Sequence, residues 1–297
     1  MTLMPGPREW LAAGTLETID ARRIFVREQQ GDGPPVLLMH GFPTCSYDWR
    51  HVVARLPDRH LVAFDFLGFG LSDKPREHRY SLLAAADLTE RIAERSDGEQ
   101  VVLVAHDMAT SVVTELLARD LQGRLALRPA AVLLLNGSIV VELARLTVSQ
   151  KLLRSRFGSV AAQLSNEPAF HAQMGRIFST AHPLTPQESA EQWSLITHEG
   201  GNRILDKLSL YLHERIRYAQ RWHGALRDWH GHLELAWGLQ DPVSNRSVLD
   251  AVIELRPGAP VTELPELGHY PQLEDPSAVS EIIARIAESA TLVASGD

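Results

Sequence analysis

Cysteine is nearly missing from this 297-residue chain: Cys45 stands alone, so no internal disulfide can form and packing has to hold the fold. Aromatic residues are few at 6%, yet 44% of the chain is hydrophobic, enough to fill one domain core with an inserted segment. No uninterrupted apolar run reaches about 18 residues, which speaks against a bilayer-spanning helix. Positive charge is scarce as well: 29 Lys and Arg face 37 Asp and Glu for a formal net charge of -8, with no basic block. That balance argues against a polyanion-binding surface, and so against nucleic acid as a partner. The opening "MTLMPGPREWLAAGTL" carries neither a basic leader nor an apolar stretch of signal-peptide length, so a reduced, cytoplasmic protein is expected. Finally, there is no G-x-S-x-G; Ser138 and Ser159 each follow a glycine, but neither sits at a strand-to-helix corner.

What the chain has instead is a set of short, continuous apolar runs: "VLLM" ending at His40, "LVAFD" at 61–65, "VVLVA" at 101–105 and "AAVLLL" at 130–135. Being continuous rather than alternating, they predict strands covered on both faces. Helical patterns lie between them; after Asp107, for example, Ala109, Val112, Val113, Leu116 and Leu117 share one helix face. The expected class is α/β, a mostly parallel sheet flanked by helices. From 139 to 226 the strand-like runs stop, and helical segments follow, broken at Pro168, Pro183, Pro186 and Gly200-Gly201. The earlier rhythm resumes with "HLELAWG" at 232–238, a helix from about Asn245, "PVTEL" near 262, and a last helix with Val279, Ile282, Ile283 and Ile286 on one face. The expected organisation is a core in two parts, 1–138 and 227–297, around a helical cap at 139–226.

"VVLVAHDMATSVV" at 101–113 places an aspartate at the corner between a buried strand and a helix. A one-residue corner of this kind holds its apex side chain in a left-handed conformation above the sheet's carboxyl edge. Small neighbours let strand and helix approach, and Ala105, Ala109 and Thr110 supply them; Asp tolerates positive φ better than most residues. A carboxylate nucleophile suits attack on a saturated carbon bearing a halide or a strained epoxide oxygen. The resulting alkyl ester of Asp107 then needs a water activated by a general base, a histidine oriented by a second acid. "WGLQDPV" offers Asp241 just past a strand, and "ELGHYPQLEDP" offers His269 before the last helix, in the chain order nucleophile, acid, base. Asn136 cannot ionise, which favours Asp241, with Glu142 as the fallback acid. In "MHGFPTCSYDW", the His-Gly step gives the main chain room to aim the Phe42 N–H at the site, where it and the Met108 N–H form an expected oxyanion hole. His40 and His106 read as structural.

These residues together are familiar: "HGFP" at 40–43, "HDM" at 106–108, "GLQDPV" at 238–243 and "GHYPQLEDP" at 268–276. The chain resembles the epoxide hydrolase and haloalkane dehalogenase branch of the α/β-hydrolase fold over nearly its whole length. "FDFLGFGLSDKP" at 64–75, "RWHGAL" at 221–226 and "HYPQLEDP" look especially similar to the mesoderm-specific transcript protein subgroup. The resemblance implies Asp107 as nucleophile, Asp241 and His269 as its triad partners, and the Phe42 and Met108 amides as oxyanion hole. Dehalogenases of this branch usually carry Trp after the nucleophile and Asn or Glu after His-Gly; Met108 and Phe42 stand there instead, leaving Trp193 or Trp222 in the cap as substitutes. Ala109 stands where a glycine is common.

Epoxide opening needs an acid for the leaving alkoxide, and relatives use cap tyrosines. Tyr211, Arg215, Tyr218 and Trp222 are spaced four, three and four apart, one face of an expected helix. Tyr211 is the candidate phenol; no tyrosine occurs between 139 and 210 to partner it. Packing of the cap on the core, with Arg215 paired to an acid, is the competing use of this stripe. The leading expectation is an epoxide hydrolase taking a hydrophobic small molecule and water. The alternatives are a haloalkane dehalogenase and a non-catalytic binding protein that keeps the fold. No cofactor or metal is expected, since His223, His230 and His232 are loosely spaced and lack a cysteine. A homodimer is compatible with the composition.

Overall fold

The computed structural model describes residues 2–96, 98 and 100–294. Its centre is an eight-stranded sheet of β1 (Thr15–Ile19), β2 (Arg22–Gln29), β3 (Asp32–Met39), β4 (Arg59–Phe64), β5 (Gln100–His106), β6 (Arg128–Leu135), β7 (His232–Gly238) and β8 (Val261–Leu264). The order is β1-β2-β4-β3-β5-β6-β7-β8. β1 and β2 pair antiparallel with each other, β2 pairs antiparallel with β4, and all other pairings are parallel. The six apolar runs picked out in the sequence are all strands. β1 and β2 have no counterpart among them. Their turn is Asp20-Ala21, both at positive φ, 48° and 60°, without the glycine that usually betrays such a hairpin. The apolar part of β2 is only Ile24-Phe25-Val26 between charged residues.

The strands read as continuous apolar runs because each feeds two cores. In β5, Val101, Leu103 and Ala105 join the cluster under the helices Leu82–Ala93 and Met108–Asp120, while Val102 and Val104 join the one under the helix Pro276–Ala294. All five are fully buried, each Val or Leu contributing roughly 1.5–3 kcal/mol by leaving water. The same register brings the carboxyl ends of β3, β5, β6 and β7 to one edge, with Met39 beside Ala105, His106 beside Leu135, and Leu135 beside Ala236.

Between β6 and β7 the described chain forms a series of helices and no strand. Pro168 and Pro186 prove to open helices rather than break them: each lies in a first turn, behind Asn166 and Thr185 whose side chains accept from Ala169 and Glu188 N–H. The helix expected through Tyr211 and Trp222 is two helices, Tyr211–Arg217 and Ala219–Asp228, which part at Tyr218 (φ -105°, ψ 12°). Ala219–Asp228 packs along the core helix Met108–Asp120, tied by Arg221 and Trp222 to Glu115. Among the described residues no helix is long and apolar enough to cross a membrane.

Candidate active site

Asp107 sits at the end of β5 with φ 45° and ψ -106°, the strained corner expected of an apex residue. Its N–H donates to Leu135 O at 3.1 Å, and Thr110 Oγ1 donates to its carbonyl at 2.6 Å, so the corner is pinned on both sides. Gly41 passes so close that a Cβ there would lie 2.7 Å from the Asp107 Cβ. Only glycine lets this loop reach Asp107 so closely. The reward of that approach is the Phe42 N–H, which donates to Asp107 Oδ2 at 3.0 Å. Met108 opens the following helix and is buried in the same apolar cluster as Phe42.

His269 follows β8 on a loop held by main-chain bonds. Its N–H donates to Ile177 O at 2.8 Å, and its carbonyl accepts from His106 Nε2 at 2.7 Å. Glu274 accepts from the N–H groups of Gly268, Tyr270 and Ser179, at 2.7, 3.1 and 3.0 Å, stitching base loop and cap together. The imidazole Nδ1 meets Asp241 Oδ2 at 2.7 Å. Burial works against the imidazolium, but the charge and hydrogen bond of Asp241, helped by Asp107, prevail and raise the His269 pKa above its ordinary value. Asp241 follows β7 and receives further bonds from Val243 N–H at 2.7 Å and Asn136 Nδ2 at 2.8 Å. Asn136, set aside as an acid because it cannot ionise, thus donates to Asp241. Glu142, the fallback, is exposed.

The two histidines read as structural behave as neutral anchors. His40 Nε2 accepts the Phe66 N–H at 3.1 Å, which leaves Nδ1 to donate to Gly41 O at 2.9 Å. Burial lowers its pKa, and burial together with the neighbouring His269 lowers that of His106 to about 4.

The cap contributes three polar side chains. Tyr211 is buried, its ring 5.6 Å from that of Phe42, and its hydroxyl accepts from Gln150 Nε2 at 3.3 Å. Burial first, and then the charge of Asp107, lift its phenol pKa above the usual range, while Arg215 and Gln150 pull it back. Arg215 is paired to an acid, as the docking use of the stripe expected, and that acid is Asp107. It is 1% exposed, donates to Asp107 O at 2.9 Å and Ser111 Oγ at 2.8 Å, and lies 3.6 Å from Asp107 Oδ1. Gln150 had no signal in the sequence, since a lone Gln in a short helix looks like any solvated residue.

Of the two cap tryptophans, Trp193 packs on Phe170 at 5.5 Å within the cluster that holds Phe42, Met108 and Tyr211. Trp222, expected toward substrate, instead donates its indole N–H to Glu115 at 3.0 Å, two turns along the helix from Asp107. Tyr270, next to His269, stacks on Phe178 at 5.3 Å and points its hydroxyl at Phe42 O, 3.4 Å away. An open cleft of about 340 Å³ runs in from the β1–β2 hairpin past Phe66, Phe69 and Leu82 to Met108 and Tyr211. Among the described residues no group of three or more His, Cys, Asp or Glu is placed to hold a metal ion. His223 and His232 turn to separate partners, Ile139 O and Glu234.

Comparison with known proteins bears on the fold and the family. LipZ of Mycobacterium tuberculosis is 52% identical over 277 residues, covering 93% of this chain and 96% of its own. The mesoderm-specific transcript protein of Mus musculus is 34% identical over 288 residues, 92% of this chain and 85% of that one, in line with the motifs that resembled its subgroup. Among solved structures, the haloalkane dehalogenase DbeA from Bradyrhizobium elkani superposes with a TM-score of 0.77 at 20% identity, covering 94% of this chain and 98% of that one; at that identity it speaks for the fold alone. Residues 34–276 match the alpha/beta hydrolase fold family. The chain belongs to that family.

Proposed function

We propose that this alpha/beta hydrolase works through an alkyl ester on Asp107 and that its substrate is a hydrophobic epoxide. The observation that carries the reading is the pair of environments at the Asp107 carboxylate: Oδ2 is held by the Phe42 N–H, and Oδ1 is left toward the cap side, where Arg215 lies. An oxygen so placed attacks a ring carbon while the ring C–O bond breaks, its electron pair staying on the departing oxygen. Tyr211 is the phenol within the field of Asp107, and it gives that oxygen its proton. Gln150, by donating to the phenol oxygen, steadies the phenolate left behind.

Water then attacks the ester carbonyl carbon as His269 takes its proton, with Asp241 holding the imidazole. The Phe42 N–H faces the oxygen on which negative charge develops. Collapse returns the Asp107 carboxylate; one proton of the water ends on the product alcohol and the other on Tyr211, so the diol leaves a restored site. Dehalogenation would use the same ester, but the Met108 and Phe42 side chains carry no N–H for a departing halide. The intact Asp107, His269 and Asp241 set weighs against a purely binding role.

Mass spectrometry of His269→Gln protein exposed to pooled epoxides and bromoalkanes tests the reading. We expect Asp107 to gain the whole mass of an epoxide. A gain of an alkyl group without its halogen would favour dehalogenation, and no adduct with any probe would sink the ester. Asp107→Asn should carry none.

A further inference from the structure

We propose that Arg215 holds the moving negative charge of the reaction: one guanidinium borders both the carboxylate that loses it and the phenol that receives it. This rests on the ester-forming reading of Asp107 above. Tyr211 and Arg215 lie one turn apart on the cap helix Tyr211–Arg217 and face the same way. The guanidinium carbon stands 4.8 Å from the centre of the Tyr211 ring, and Nη2 stands 3.6 Å from Asp107 Oδ1. Bonds to Ser111 Oγ and Asp107 O fix the fork in that place. Among the described residues, Asp107 is the one ion-pair partner of this buried cation.

A buried cation that loses its counter-charge is penalised unless a new one appears beside it. Attack by Oδ1 turns Asp107 into a neutral ester and, after proton transfer to the opened oxygen, leaves Tyr211 as a phenolate. The charge has moved from one neighbour of Arg215 to the other, and the cation has not had to move. A cation over an aromatic face is attracted to it, more so once the ring carries a charge. Arg215 therefore acts through Asp107 and Tyr211 as a positioning residue, and it lets a single phenol open the ring.

Two measurements test this. In the first, which needs no substrate, a fluorinated tyrosine at position 211 is titrated by 19F NMR. Arg215→Gln, or Arg215→Met if the polar end impairs folding, should move its ionisation up by about one pH unit or more, and Asp107→Asn should move it down. A titration unmoved by loss of the Arg215 charge overturns the proposal. The second is single-turnover ester formation in the His269→Gln background with styrene oxide and 1,2-epoxyoctane. Arg215→Gln should slow it about a hundredfold when Tyr211 is present. Arg215→Lys should stay within about tenfold of the parent. In a Tyr211→Phe background the same Arg215→Gln change should cost only a few-fold, because the phenolate it serves is gone. Equal losses in both backgrounds, the result of a merely structural role, overturn it. Absence of any ester in the His269→Gln parent instead overturns the reading on which it rests.

Discussion

Asn136 and His269 donate to the same oxygen of Asp241, at 2.8 and 2.7 Å from Oδ2. Asn136 also receives the Gly238 N–H at 2.9 Å, so one amide ties the acid to the end of β7. Asn136→Ala should leave ester formation near its parent rate and slow ester hydrolysis by about 10- to 100-fold. Accumulation of the Asp107 ester during turnover is the measurement. Equal slowing of both steps would mean that Asn136 supports the fold rather than the acid.

His269 takes a proton from water only when neutral, and its pKa stands above the ordinary imidazole value because Asp241 outweighs burial. Ester hydrolysis should therefore rise with pH along a limb lying above pH ~6.5. Asp241→Asn should move that limb down while lowering its plateau. The effect on stability has the opposite sense: a histidine raised on folding stabilises the fold fully below pH ~6.5, and the benefit is lost as pH climbs through the folded value. Ester decay followed across pH checks the first part and urea unfolding the second.

Asp48 gives a second pH dependence at the seam of cap and core. Its carboxyl accepts from Thr44 at 2.5 Å, on the loop that follows Phe42, and from Gln192 at 2.8 Å, on the cap helix Pro186–Thr197. Burial, then the charge of Glu188, push its pKa up to about 7, against the pull of those two hydrogen bonds. Between pH ~4 and pH ~7 the folded protein keeps a proton that the unfolded chain has released, so stability should fall with rising pH across that window, by a few kcal/mol at most, and level off above it. Asp48→Asn should flatten the curve. A variant whose urea midpoint follows the parent at every pH would show that Asp48 does not titrate there.

Trp222→Phe separates packing from substrate contact. Losing the bond to Glu115 should cost about 1–2 kcal/mol, since Arg119 and Arg221 still satisfy that carboxylate. Turnover and KM should stay within about twofold of the parent. A KM that climbs with substrate size would return the indole to the binding site.

Much of the fold was legible because strands buried on both faces leave a plain mark: β3, β4, β5 and β6 end in apolar runs rich in Val, Leu and Ala that a polar residue closes. The candidates Asp107, Asp241 and His269 stood out by their places, Asp107 at a strand-to-helix corner, Asp241 just past a strand and His269 before the last helix. The β1–β2 hairpin was not legible, since its turn lacks glycine and its apolar stretch is three residues long. Cap positions were harder still. Tyr218 interrupts a helix that the spacing alone carried straight through; before the break Arg215 meets Asp107, and after it Trp222 meets Glu115. Long-range partners such as Gln150 with Tyr211, or Glu274 with Ser179, have no local pattern, because a hydrogen bond between distant segments leaves no periodicity in either.

The three amides gathered by Glu274 have a consequence for traffic. Ser179 N–H on the cap and the amides on both sides of His269 share one carboxylate, and Ile177 O receives the His269 N–H from the same cap segment. Any swing of the helical segment on that flank would drag His269 with it, so the proposed reaction needs that side to stay fixed. In the proposed reaction, passage of reactant and diol would then fall to the opposite flank, where the mouth beside the β1–β2 hairpin leads inward to Tyr211.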